Sequence, residues 1–310
     1  MKGGLSHGLV ALGLGLILLS ALSPLVTVNG GSGEERVVVA TTTIIWDIAR
    51  NVAGGLWRVE YIVEPGRDPH TYEPTPADLV KASRAQLILY NGFSIDQWVE
   101  RLVRAASRAR AVRVTEGLEA LVLRVPDGPY RGREDPHLWM DPNIAIRYAE
   151  NIRDALAGLD PLNGETYHRN AALYIDQLRS LDQWIRGRVS EIPPSRRMLF
   201  TQENAFQYFA RAYGFVVAGY FYSIVTEIEP SPLDVVRTIE RVRASGLCVF
   251  FIETTLSPRM MEMFTRQVGG RLGGRLYTDS IGPVGSEVGS YIGMMRFNVE
   301  TISRELSRWC

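Results

Sequence analysis

Lysine is almost missing from this 310-residue chain: only Lys2 and Lys81 occur, and arginine carries nearly all the positive charge. An excess of either sign is missing too. Lys+Arg and Asp+Glu both number 34, so the net charge is zero and no overall basic field draws phosphates toward the surface. That argues against a nucleic-acid partner. Cysteine is reduced to Cys248, inside the apolar run Leu247–Phe251, and Cys310, the last residue. No cysteine pair has the spacing of a thiolate metal site. An oxidising compartment permits a disulfide between them, but two unpaired thiols are the favoured reading. The helical metalloprotease motif His-Glu-x-x-His and the Gly-x-Ser-x-Gly nucleophile elbow are both absent. Histidine is limited to His7, His70, His137 and His168.

What is present begins at the N-terminus. Lys2 precedes an almost wholly apolar stretch from Leu9 to Val28, followed by Gly30-Gly31-Ser32-Gly33. Residues 1–33 read as an export signal. The run is also long enough, at about 20 residues, to span a bilayer as an uncleaved anchor, and cleavage and anchoring both stay open. No cysteine follows the run, which excludes lipid attachment at a processed N-terminal cysteine. The chain is therefore expected to work extracytoplasmically.

At this length two lobes are the natural expectation. Short apolar runs alternate with helical patterns. Arg36–Thr43, Arg58–Val63, Gln86–Tyr90 and Ala111–Val114 read as strands, and Ile44–Ala53 and Ile95–Ala106 as helices. The rhythm returns with strands at Met198–Thr201, Val216–Tyr220, Cys248–Ile252 and Arg275–Tyr277. The helices there are Ala205–Tyr213, Leu233–Ala244, Pro258–Val268 and Val288–Arg308. The fold class is α/β: two similar lobes, each a mostly parallel sheet flanked by helices. Between them, Glu165–Arg188 carries apolar residues at Tyr167, Ala171, Tyr174, Leu178, Leu181, Ile185 and Val189, one stripe at steps of three and four. This is one long linker helix, stiff enough to restrict hinge motion. The expected divisions are 34–163 for the first lobe, 164–191 for the linker and 192–310 for the second.

His7 lies in the signal and His168 faces away from the linker's apolar stripe. His70 and His137 remain, in Asp68-Pro69-His70 and Asp135-Pro136-His137. Proline fixes its own φ and restricts the residue before it, a way to hold an imidazole in one direction. Two such triplets point to shared ligation of one metal ion, but a divalent metal takes four or more ligands. The rest of the site is not evident from the histidines.

Further segments accompany the triplets: Thr71-Tyr72-Glu73-Pro74 after the first, Asn91-Gly92 with Trp98, and Leu138-Trp139-Met140-Asp141-Pro142 after the second. Later come Glu203-Asn204-Ala205-Phe206 with Tyr208-Phe209 and Tyr213-Gly214, Glu229-Pro230-Ser231-Pro232, Ile252-Glu253 and Tyr277-Thr278-Asp279-Ser280. In number and order these resemble the solute-binding proteins of ABC importers for zinc and manganese. The resemblance implies a metal in an interlobe cleft on four side chains, matching His70, His137, Glu203 and Asp279. It also implies delivery to a membrane permease with an ATPase behind it, by a protein that works as a monomer.

Zinc importers of that family generally place a third histidine where this chain has Glu203, and often carry a His-rich loop where Leu118–Glu134 has none. Both departures favour one Mn²⁺ as cargo over Zn²⁺ or Fe²⁺, in line with the preference of harder ions for oxygen. Glu253, at a strand end, is a candidate acceptor for a ligand histidine's second ring nitrogen. The rival reading is an exported metallohydrolase using the same metal site. Four protein ligands disfavour it, because a catalytic metal keeps a position open for water. An adhesive role is neither indicated nor excluded.

Overall fold

Val37–Ala40 is a run of four small and β-branched apolar residues, all buried, and it forms the interior strand β1. Only a parallel sheet covered on both faces tolerates such a run. In the computed structural model, which describes Met1 and residues 35–106, 108–126, 130–223 and 231–308, β1 pairs in parallel with β2 (Arg58–Tyr61) and β3 (Leu87–Tyr90), and β3 with β4 (Arg110–Arg113). The order is β2-β1-β3-β4. The run expected as strand to Thr43 stops at Ala40, because the Thr42 hydroxyl accepts the Ile45 N–H and opens helix α1 (Thr43–Ala53), which Gly54 ends in the left-handed region at φ 60°.

Helix α2 (Pro76–Ser83) was not evident from apolar periodicity. It starts in a capping box between Thr75 and Asp78. Helix α3 (Val99–Ala105) is shorter than the expected Ile95–Ala106, and Phe93 and Ser94 before it lie at φ 52° and 75°. Helix α4 (Pro142–Leu159) is capped by Asp141 with proline at its first turn.

Helix α5 (Gly164–Ser190) is the linker. Its 27 residues run about 40 Å at 1.5 Å per residue. The predicted stripe is the buried face, with Ile175 added to it, and His168 is exposed. The second lobe contains β5 (Met198–Phe200), α6 (Gln207–Tyr213), β6 (Val216–Gly219), α7 (Pro232–Ser245), β7 (Val249–Glu253), α8 (Arg259–Val268), β8 (Arg271–Leu276) and α9 (Tyr291–Arg308). Its ladders among the described residues are two parallel pairs, β5-β6 and β7-β8. At the seam between them the Glu253 N–H donates to Gln202 Oε1 at 3.1 Å, and the Gln202 N–H to Glu253 Oε2 at 2.9 Å. Side chains replace the missing ladder bonds there.

One continuous apolar core joins α1, α4, α5 and α9 with residues of β1, β3, β5, β7 and β8. The lobes therefore share a central layer, and a separate cluster serves the outer face of each. Among the described residues no helix is long and apolar enough to cross a membrane. The signal or anchor expected over residues 1–33 lies outside the described residues, save Met1. Cys248 is disulfide-bonded, which corrects the expectation of two unpaired thiols. An oxidising compartment favours such a bond. Cys310 lies outside the described residues.

The turn from α4 into α5 hangs on Asp160. Its buried carboxylate accepts the Tyr167 hydroxyl at 2.6 Å and Asn163 Nδ2 at 2.7 Å, and pairs with Arg36. Burial alone would raise its pKa, but these donors outweigh it and hold the group below its ordinary value. A carboxylate depressed in the folded state contributes stability above its unfolded pKa and loses it as pH falls through the folded one. Asp160→Asn is accordingly expected to cost about 2 kcal/mol at pH 7. The gap to wild type should close on acidification below about pH 4, as read by urea unfolding at several pH values.

Candidate metal centre

The sheet order changes direction between β1 and β3, and ligands of open α/β sheets collect beyond strand C-termini at such a point. His70 lies on the chain leaving β2. Asp68 Oδ1 accepts the His70 N–H at 2.8 Å, and Trp98 Nε1 holds the Pro69 carbonyl at 2.9 Å. The second triplet repeats the turn: Asp135 Oδ1 accepts the His137 N–H at 2.9 Å. Each aspartate thus folds its own triplet, an ordering the prolines assist.

Asp135 does more. The same oxygen lies 2.7 Å from His137 Nδ1. A carboxylate accepts, so the ring donates from Nδ1 and presents Nε2 inward. Around the triplet, Asn91 Nδ2 donates to the Pro136 carbonyl and Tyr148 to Asn91 Oδ1.

From the second lobe, Glu203 follows β5. Its N–H donates to Glu253 Oε1 at 3.2 Å, and the Thr201 hydroxyl donates to its carbonyl at 2.6 Å. Glu253 therefore fixes the Glu203 backbone and accepts no ligand imidazole, which corrects the role expected for it. Asp279 follows β8, and first-lobe residues surround its turn. Trp139 Nε1 donates to the Thr278 carbonyl at 2.8 Å, the Gly66 N–H to Ser280 Oγ at 2.8 Å, and the Ile281 N–H to Thr43 Oγ1 at 3.1 Å.

The structure brings all four predicted side chains to one point. His70 Nε2 lies 3.2 Å from Glu203 Oε1 and 3.3 Å from His137 Nε2. His137 Nε2 lies 3.4 Å from Glu203 Oε1 and 3.3 Å from Asp279 Oδ1. One ligand atom from each residue falls within 4.8 Å of all the others. Four donors at about 2.1 Å from a central ion would stand about 3.4 Å apart in a tetrahedron. All four side chains are buried. Apart from the facing His70 and His137 rings, no group donates to either carboxylate oxygen of Glu203 or Asp279. Buried carboxylates without donors are costly, and a cation between them supplies what is missing.

Electrostatics agree with this need. Burial pushes Asp279 up, and repulsion from Glu203 adds to it. Burial also opposes Glu203's charge, but His70 and His137 outweigh it and bring the group below its ordinary value. Burial pulls His137 down, and Asp135, Asp279 and Glu203 overcome it to hold the ring well above its ordinary value. His70 is raised in the same way by Glu203 and Asp279. Two carboxylates and two imidazoles share one buried site, and a divalent ion would neutralise the two carboxylates.

The sequence alone missed Asp135 as a partner of the His137 ring, and also Trp139 and Gln207. The repeated aspartate two residues before each histidine was the available signal for the first. The other two act across the fold and left none.

Comparisons with known proteins agree with the geometry. Residues 38–305 match the family described as zinc-uptake complex component A, periplasmic. The chain is 40% identical over 273 residues to the iron-binding protein YfeA of Yersinia pestis, covering 88% of this chain and 87% of that one. It is 36% identical over 276 residues to the manganese-binding lipoprotein MntA of Halalkalibacterium halodurans, covering 89% and 90%. Among solved structures, the periplasmic zinc-binding protein TroA from Treponema pallidum superposes with a TM-score of 0.82 at 29% identity, covering 88% of this chain and 100% of that one. With two parallel-sheet lobes on one long helix and a match spanning nearly all of the described residues, the chain belongs to the zinc-uptake component A family, the extracytoplasmic metal-binding components of ABC metal importers.

Proposed function

We propose that this protein captures one Mn²⁺ ion between His70, His137, Glu203 and Asp279 and hands it to the permease of its importer, behind which the ATPase works. The carrying observation is the set of four buried carboxylate oxygens, from Glu203 and Asp279, that face no donor other than the two imidazoles. With two imidazole nitrogens they offer up to six donors, mostly oxygen. An oxygen-rich, higher-coordinate set suits Mn²⁺, whereas zinc is usually satisfied by four. The names of the relatives divide among iron, manganese and zinc, so the donor set carries the preference. Zn²⁺ would still bind in a test tube, as the usual affinity order requires.

Side chains alone complete this coordination. That favours a carrier over a hydrolytic centre, which needs a water on the metal. We assign the lobes to residues 34–163 and 192–310 with 164–191 as linker, and a single copy of the chain supplies every ligand.

Elemental analysis of protein purified from its native membrane fraction is expected to find manganese at about one equivalent, and a His70→Ala, Asp279→Ala variant is expected to hold none. One equivalent retained by the variant would overturn the ligand assignment. Zinc or iron in the native protein would overturn only the choice of metal.

A further inference from the structure

Asp135 is buried, and its carboxylate is divided between two lobes. Oδ1 takes the N–H and Nδ1–H of His137, both within its own triplet. Oδ2 takes Gln207 Nε2 at 2.7 Å, from the first residue of α6 in the second lobe. Tyr208, the next residue, donates its hydroxyl to the Asp135 carbonyl at 2.8 Å and accepts the Leu123 N–H at 2.9 Å. Gln207 stands four residues after Glu203. One short segment therefore delivers both a candidate ligand and the donor that seats the aspartate behind another candidate ligand.

We infer that Gln207 is a positioning residue for His137: through Asp135 it aims the imidazole at the metal, and it does so when the segment carrying Glu203 is docked. The inference rests on His137 being a ligand. A carboxylate left with one oxygen unpaired can rotate about its last bond and swing Oδ1 off Nδ1. The Gln207 amide removes that freedom by holding the second oxygen. The amide orients the carboxylate as a hydrogen-bond donor and brings no charge of its own. The Nδ1–H bond to Asp135 Oδ1 fixes the tautomer and makes Nε2 a better donor to a cation. The chain closes a ring: Glu203, the metal, His137, Asp135, Gln207, and back along four residues to Glu203. Docking of α6 and aim of the imidazole become one event.

The test substitutes Gln207→Met, which preserves length and removes the donor, in the full chain labelled with ¹⁵N-histidine. Two quantities are read: Zn²⁺ affinity by chelator competition, and exchange of the His137 Nδ1–H with and without Zn²⁺. We expect affinity to fall roughly ten- to a hundredfold, the range for loss of a partner behind a metal ligand. The Nδ1–H should exchange about tenfold faster in both states, with the His70 signals unmoved. Asp135→Ala should reproduce both changes, and adding Gln207→Met to it should change nothing further. Wild-type exchange in Gln207→Met would overturn the inference, whatever the affinity or the melting temperature does. So would additive effects in the double variant. Failure of the ligand assignment is separately visible: Zn²⁺ would then leave the His137 signals of the wild type in place, while the Nδ1–H exchange of the metal-free protein still reports on Gln207.

Discussion

Asp279→Asn is expected to weaken Mn²⁺ binding by at least about a hundredfold, some 3 kcal/mol, and to raise the melting temperature of the metal-free protein by a few degrees. The two effects have one origin. Asp279 has no facing donor but the His137 ring, and burial together with the Glu203 charge outweighs that ring and raises its pKa. An acid raised in the folded state destabilises that state when ionised. The stabilisation of the asparagine variant should be complete above the raised pKa and should fade as pH falls toward the ordinary aspartate value. With metal present the sign reverses, because at a thousandfold excess over its Kd the wild type gains about 4 kcal/mol, against about 1.4 kcal/mol for a variant that binds a hundredfold more weakly. Calorimetry with chelator and with Mn²⁺ reads both. A variant that melts below the metal-free wild type would show that Asp279 is held by forces other than a missing cation.

Glu203→His is expected to raise the Zn²⁺:Mn²⁺ affinity ratio by tenfold or more. The substitution removes two oxygen donors and one negative charge. The remaining set of three imidazoles and one carboxylate no longer neutralises a divalent ion, and it suits a softer, four-coordinate one. The backbone should stay in place, since Glu253 holds the Glu203 N–H independently of the side chain. Competition between the two metals in wild type and variant gives the ratio. An unchanged ratio would remove Glu203 from the coordination sphere.

The parts legible from sequence were those where one residue's surroundings are written into its neighbours. The α5 stripe reports burial directly, since a residue every three or four positions must share a face, and seven of its eight buried positions were named from spacing alone. Continuous runs such as Val37–Ala40 mark interior strands equally well. Helix α2 escaped because it is set by capping and buries only Asp78 and Ala82. The first-lobe candidates stood out because histidine is rare and the triplet repeats. Glu203 and Asp279 are two among 34 acidic residues, and only the resemblance singled them out. Glu253 holds the Gln202 and Glu203 backbone instead of the imidazole expected for it, and those partners were not foreseeable. It fills a seam between two ladders that the alternation of strands and helices cannot foretell.

The hydrogen bonds around Thr278–Ile281 run to Trp139, Gly66 and Thr43, so Asp279 is bolted to the first lobe although its strand belongs to the second. On the proposed ligand set, the centre then divides three against one. Withdrawing β5 and α6 would carry off Glu203 alone, and the Gln207 hold on Asp135 with it. The remnant, two imidazoles and a single carboxylate, would leave a divalent ion with an uncancelled positive charge. With that ligand set, unloading would need no large opening, because removing one counter-charge would by itself weaken the hold on the ion.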